Sequence, residues 1–191
     1  MKKFVIVGLG LIGGSMALAL RGFEDYTIVG VDVSQPTLRF ARERGVCDRV
    51  TEDAGEAIEG ADVVMLAIHP QGILDFLKAY RDRFKPGCLV TDVCGVKSAI
   101  MDGAQCLPKG VDFIGGHPMA GTEFSGIQHA FAEMFQDSHL ILTPRETSTQ
   151  AHIALMERLA GRGEDDPGGA RRHFGLYQPD DAYYRRQRLR R

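Results

Sequence analysis

Residues 4–15 read FVIVGLGLIGGS, and the interpretation of the chain starts from them. Phe4, Val5, Ile6 and Val7 form an unbroken β-favouring apolar run, the pattern of a strand covered on both faces in a parallel sheet. Gly8, Gly10 and Gly13 follow with the spacing G-x-G-x-x-G, and residues 15–20 (SMALAL) then favour helix. In a strand-turn-helix unit of this kind the first glycine makes the tight turn and the second lets backbone approach a pyrophosphate. The third lets the helix pack on the strand, and the helix aims its free first-turn N–H groups at the phosphates. Gly8, Gly10, Leu11, Ile12 and Gly13 are therefore cofactor-binding candidates.

Residues 27–31 (TIVGV) read as a second strand ending in Asp32, about 20 residues beyond the turn. A carboxylate there accepts hydrogen bonds from ribose hydroxyls, which favours NAD, whereas NADP usually requires a cation at this spot. The competing reading of Asp32 is a helix cap in an unrelated turn.

Working outward, residues 37–44 read as a helix stopped by Gly45, and residues 63–68 (VVMLAI) as a central strand that adds Ala67 to the cofactor-binding candidates. Residues 73–80 supply the next helix, with Ile73, Phe76, Leu77 and Tyr80 on one face. Residues 89–92 form a further strand and residues 97–105 a further helix. Strands alternating with helices predict an α/β fold, a Rossmann-like, doubly wound, mostly parallel sheet. Ligands in such sheets bind beyond the carboxyl ends of the strands. That rule brings together residues 8–13, Asp32, His69 with Pro70, residues 94–97 and residues 115–121. His69 reads as a turn residue without chemical duty, and Lys97 either as an anion holder or as a solvated helix start.

The composition sets outer limits. A chain of 191 residues with 44% hydrophobic and 25% charged residues can bury a sizeable core, and a net charge of −2 exerts no global pull toward nucleic acid or membrane. Cys47, Cys88, Cys94 and Cys106 include no C-x-x-C pair and read as reduced thiols in core elements, not as a disulfide framework or metal site. Together with the absence of a signal-peptide pattern after Met1, this predicts a cytoplasmic protein.

Residues 112–126, DFIGGHPMAGTEFSG, carry the chemistry. Pro118 restricts the residue before it to extended conformations, so the His117 imidazole is aimed. Neutral histidine accepts a proton from a hydroxyl near pH 7, as hydride abstraction from an alcohol carbon requires. His117 is the catalytic candidate, against the bland alternative of a satisfied structural histidine; His129, His139 and His152 read as structural or solvated.

The segments GLGLIGGS, TDVCGVK (residues 91–97) and GGHPMAGTEFSG (residues 115–126) together resemble the prephenate and arogenate dehydrogenases of tyrosine biosynthesis, a likeness running from Met1 to about Arg162. The resemblance implies NAD-dependent oxidative decarboxylation of prephenate to 4-hydroxyphenylpyruvate. His117 would then bond the ring hydroxyl, Thr122 would lie by the substrate and Glu123 would belong to a polar gate. Gly95 stands where many relatives carry serine, so a hydroxyl contribution to substrate orientation is absent or replaced by backbone. Family members are homodimers closed by a helical second domain.

No such domain is legible here. Residues 161–191 contain no Val, Ile or Met, and Leu176 and Leu189 are their only Leu. We expect residues 1–162 to be the NAD-binding domain and residues 163–191 a disordered basic tail read out of frame. Suitable codons for residues 163–184, read one nucleotide later, encode GRTTPEEHDAISAYTSQMTHII, which resembles the family's continuation. On this reading turnover is impaired more than NAD binding. The alternatives are an arogenate dehydrogenase, a hydroxy-acid or imine reductase, and a catalytically silent nucleotide-binding module.

Overall fold

The computed structural model describes residues 1–161 and 175–177. The strands are β1 (Lys2–Val7), β2 (Tyr26–Val31), β3 (Arg49–Thr51), β4 (Val63–Leu66), β5 (Leu89–Asp92), β6 (Asp112–Pro118), β7 (His139–Pro144) and β8 (Gly175–Tyr177). The helices are α1 (Leu11–Ala19), α2 (Gln35–Glu43), α3 (Ala54–Ile58), α4 (Pro70–Tyr80), α5 (Ser98–Gly103) and α6 (Gln150–Leu159). All eight strands join one sheet in the order β3-β2-β1-β4-β5-β6-β7-β8. Pairing is parallel from β3 through β6, antiparallel between β6 and β7, and parallel again between β7 and β8. This is the expected Rossmann-like, mostly parallel sheet.

Alternation along β1 divides the core in two. Phe4 and Ile6 join one cluster with Met16, Leu20, Leu38 and Leu155, under α1, α2 and α6. Val5 and Val7 join the other with Ile58, Ile73, Leu77 and Ile100, under α3, α4 and α5. Successive side chains of a strand point to opposite faces, so an unbroken apolar run is what a sheet covered on both sides demands. Helix starts are capped from the sequence: Ser34 accepts from the Thr37 N–H, Asp53 from Glu56 and Thr149 from His152.

The structure adds β3, α3 and β7, to which the sequence pattern assigned no element. It also carries β6 through both glycines to Pro118. Gly115 to Pro118 pair with Thr143 to Leu140 of β7, so His117 stands on the strand itself and not in a loop after it. The expectation of a disordered, out-of-frame tail falls on residues outside the described ones, apart from Gly175–Tyr177, which pair with His139–Ile141. Among the described residues no helix is long and apolar enough to cross a membrane. All four cysteines are free thiols, and burial pushes Cys47 and Cys88 up to about 12, so both stay protonated.

A buried carboxylate ties α6 to the amino end of β6. Asp112 accepts hydrogen bonds from Ser148 Oγ at 2.9 Å, the Thr149 N–H at 3.0 Å and the Phe113 N–H at 2.7 Å, with His152 Nδ1 at 3.0 Å. Burial alone would raise this carboxyl, but the bonds from His152, Thr149 and Ser148 outweigh it and hold Asp112 below the usual carboxylate range. Asp112→Ala is expected to lower stability by about 3 kcal/mol, read by urea unfolding. Because the folded value is depressed, this contribution is complete above the ordinary aspartate range and disappears as the pH falls through the folded value. Wild type and variant should then converge in strong acid.

Candidate active site

The carboxyl ends of β1, β2, β4, β5 and β6 share one edge of the sheet, and the chain leaves each of them with a candidate residue. After β1, Gly8 adopts φ +92°, and a Cβ there would lie 2.4 Å from the Ala67 carbonyl oxygen and 2.6 Å from Ile68 Cγ2. A Cβ on Gly13 would lie 1.9 Å from the Gly8 carbonyl oxygen, so the third glycine is what lets α1 sit against the turn. Gly10 differs: nothing lies within 4 Å of where its Cβ would be. That open cradle faces the start of α1, which has no side-chain cap and no acidic residue in its first turn. The first-turn N–H groups of Leu11, Ile12 and Gly13 are thus left for an anion.

Asp32, half-buried at the end of β2, accepts from the Leu9 N–H and the Ser34 N–H, both at 2.8 Å. Each bond uses one lone pair of a different carboxylate oxygen, so both oxygens keep acceptor capacity for a ribose diol. Ala67 continues from β4, its N–H donating to the Val7 carbonyl at 2.7 Å, and so fixes the floor beneath Gly8. The residues present fit a dinucleotide: an uncapped helix start, a cradle that a side chain would fill and a carboxylate at the second strand.

The next two strands carry His117 and its surroundings. A Cβ on Gly95 would lie 3.3 Å from His117 Cε1, 3.5 Å from Nε2 and 3.7 Å from Nδ1, so the loop after β5 lies against the imidazole. Nδ1 is buried and has no hydrogen bond of normal geometry, although the Val93 carbonyl is near enough to favour the protonated ring. Burial lowers the ring below the ordinary histidine range and the Lys97 ammonium lowers it further, while Val93 and the Asp92 carboxylate only partly offset this.

Lys97 corrects the expectation of a solvated or anion-holding side chain. Its ammonium is buried against Asp92, with side-chain exposures of 6% and 0%. Desolvation pushes Lys97 down and Asp92 up, and the attraction between the two charges opposes both shifts. The glycine pair before His117 makes room for this. A Cβ on Gly115 would lie 3.1 Å from Lys97 Cδ, and one on Gly116 would lie 2.6 Å from the Asp92 carbonyl oxygen. Asp92 is the member of the site that the sequence reading left without a role, and with it the partner of Lys97. The available signal was a carboxylate ending a fully buried strand, five residues before a lysine.

Thr122 and Glu123 stand exposed beyond β6. Thr122 Oγ1 accepts from the Phe124 N–H at 3.2 Å, and the Phe124 ring stacks on His129 with centroids 4.8 Å apart. The structure brings Gly95 to the imidazole and leaves the other two substrate candidates, Thr122 and Glu123, in solvent. His69 is the exposed N-cap position of α4.

Residues 16–163 match the family model described as "Prephenate dehydrogenase, nucleotide-binding domain", beginning just past the glycine turn. A prephenate dehydrogenase of Lactococcus lactis is 39% identical over 147 residues, which is 75% of this chain and 41% of that protein. Among solved structures, Synechocystis arogenate dehydrogenase superposes with a TM-score of 0.82 at 32% identity, covering 95% of this chain and 61% of that one. Prephenate dehydrogenase from Aquifex aeolicus, solved with hydroxyphenyl propionate and NAD+, gives 0.76 at 29% identity, covering 94% and 61%. The chain thus spans less than two thirds of the length of each of these relatives. With the glycine turn, the carboxylate after β2 and the histidine of β6 on one sheet edge, the chain belongs to the prephenate dehydrogenase family, and residues 16–163 match its nucleotide-binding domain.

Proposed function

We propose that this chain binds NAD and carries the proton-accepting half of a prephenate dehydrogenase, converting prephenate to 4-hydroxyphenylpyruvate and carbon dioxide. The observation that supports this best is the His117 imidazole on the same sheet edge as the uncapped start of α1, with burial holding it in the neutral form. With Nδ1 buried, Nε2 is assigned as the nitrogen that takes the substrate's hydroxyl proton. As that O–H bond breaks, the carbonyl forms, the hydride leaves the same ring carbon, and the carboxylate departs as carbon dioxide. The electrons of the broken C–C bond complete the aromatic ring and push the carbonyl pair back onto oxygen, which recovers its proton from the His117 imidazolium to give the phenol. When bound, NAD supplies the hydride acceptor.

The chain's own residues align reactants and accept one proton; aromatisation drives the rest. Leu11, Ile12 and Gly13 hold the pyrophosphate through backbone N–H groups, Gly8 makes the turn against Ala67, Gly10 leaves space for the ligand, and Asp32 bonds the ribose. Gly95, Thr122 and Glu123 are the proposed substrate side. Asp32→Ala is expected to weaken NAD binding about tenfold or more by calorimetric titration, since a hydrogen bond to a charged group contributes about 1.5–3 kcal/mol.

Arogenate is the second reading, favoured by the likeness to the Synechocystis enzyme. It differs from prephenate by an amino group in place of the keto oxygen. NADH formation with each substrate separates the two, and NAD binding without NADH from either would overturn the catalytic assignment.

A further inference from the structure

Asp92 does more than neutralise a lysine. One oxygen, Oδ2, accepts from the Cys94 N–H at 2.9 Å and from the Lys97 ammonium, while Oδ1 accepts from the Gly116 N–H at 3.3 Å. A single buried carboxylate therefore joins both ends of the loop carrying Gly95 to the residue immediately before His117. The Lys97 stem fills the slot left open by Gly115. Buried ion pairs are costly to desolvate and seldom justified by stability alone.

We propose that the buried Asp92–Lys97 pair is the positioning device for His117, holding the Gly95 loop against its ring and balancing charge beneath it. The inference rests on His117 as the proton acceptor and identifies what prepares it for that role. The ring's other neighbours offer no competing source of charge control. Ile141 of β7 lies opposite His117, and His139, two residues along β7, is exposed, as is Glu123 beyond β6. From the loop after β5 the remaining titratable group is Cys94, whose thiol burial pushes up and so keeps neutral.

The direction of each charge effect follows from Coulomb's law. A nearby cation disfavours imidazolium and a nearby anion favours it. The test is an NMR pH titration of the His117 ring in the full chain without substrate, the signal being assigned by its loss in His117→Asn. In the unmodified chain, the Gly116 amide and the Lys97 side-chain signals should move with the midpoint of the His117 ring, and that movement should vanish in His117→Asn.

Asp92→Asn should shift the midpoint down and Lys97→Met should shift it up, with Lys97→Arg near wild type. The double variant Asp92→Asn with Lys97→Met leaves no unpaired buried charge. Its midpoint should move toward an ordinary histidine as the loop loosens and water reaches the ring. The proposal is overturned if Gly116 and Lys97 do not sense the titration in the unmodified chain, or if folded Asp92→Asn, Lys97→Met and the double variant keep the wild-type midpoint. Because no substrate is present, such a failure is distinct from failure to produce NADH.

Discussion

Replacing His117 with asparagine is expected to lower turnover by about 10²–10⁴-fold, the usual contribution of a positioned general base, while NAD binding stays within a factor of two or so. Asparagine keeps a polar side chain of similar reach but cannot take a proton near neutral pH. The substitution breaks no hydrogen bond of normal geometry, since Nδ1 makes none, so a fold-wide loss is not expected. The comparison is of kcat, KM and calorimetric NAD affinity in the same preparation. An equal loss of NAD affinity would move His117 from the reacting centre to the cofactor pocket.

The pH profile provides a second readout. The ring's pKa lies below the ordinary histidine range, first through burial and then through Lys97. Activity needs the neutral ring, so the acid limb of kcat/KM should fall at lower pH than an unperturbed histidine would set. His117→Asn should remove that limb from the residual rate.

Gly13→Ala is expected to be strongly damaging, its Cβ making the shortest contact of any described glycine. The added carbon would lie 1.9 Å from the Gly8 carbonyl oxygen, 3.0 Å from the Gly8 carbonyl carbon and 3.0 Å from Ala67 Cβ. Two of those neighbours are backbone of the turn and cannot rotate aside. Overpacking of this kind typically costs about 1–3 kcal/mol, and more where backbone must move. The only relief is for α1 to lift off the turn, which also displaces the N–H groups of Leu11 and Ile12. Both urea stability and NAD affinity should therefore fall, affinity by about tenfold or more. Gly10→Ala is the control: its Cβ meets nothing within 4 Å of protein, so stability should hold while NAD affinity falls.

The contrast between these glycines shows what the sequence could tell and what it could not. The spacing, set between an apolar strand run and a helix-forming run, assigned the three positions to a dinucleotide turn, because turn, approach and packing each need a residue without Cβ at a fixed offset. Asp32 was equally legible, being tied to the end of a strand with a clear apolar run. Strand β7 was not, although Leu140 to Leu142 form an apolar run before Thr143 and Pro144. It pairs antiparallel with β6 and follows two short 3-10 turns, outside the strand-helix alternation that organised the reading. Missing β7 also hid the extension of β6 through His117. The three-residue strand β3 and the five-residue helix α3 are too short for either periodicity to register.

Asp92 and Lys97 failed for a different reason. A lysine opening a helix reads as solvated unless its partner is known, and that partner is fixed by tertiary packing across the β5 end. The same holds for Asp112, whose bonds to Ser148 and Thr149 span more than thirty-five residues of sequence.

The contact between Gly13 and Gly8 also bears on how a dinucleotide would be received. Helix and turn interlock so closely that the phosphate seat is cast in advance, and a ligand entering there has little backbone entropy to remove. The stretch after β6 is unlike it: the large apolar side chains Met119 and Phe124 stand exposed there. The pyrophosphate of a dinucleotide would therefore meet a finished mould, one that needs no rearrangement of the chain to receive it.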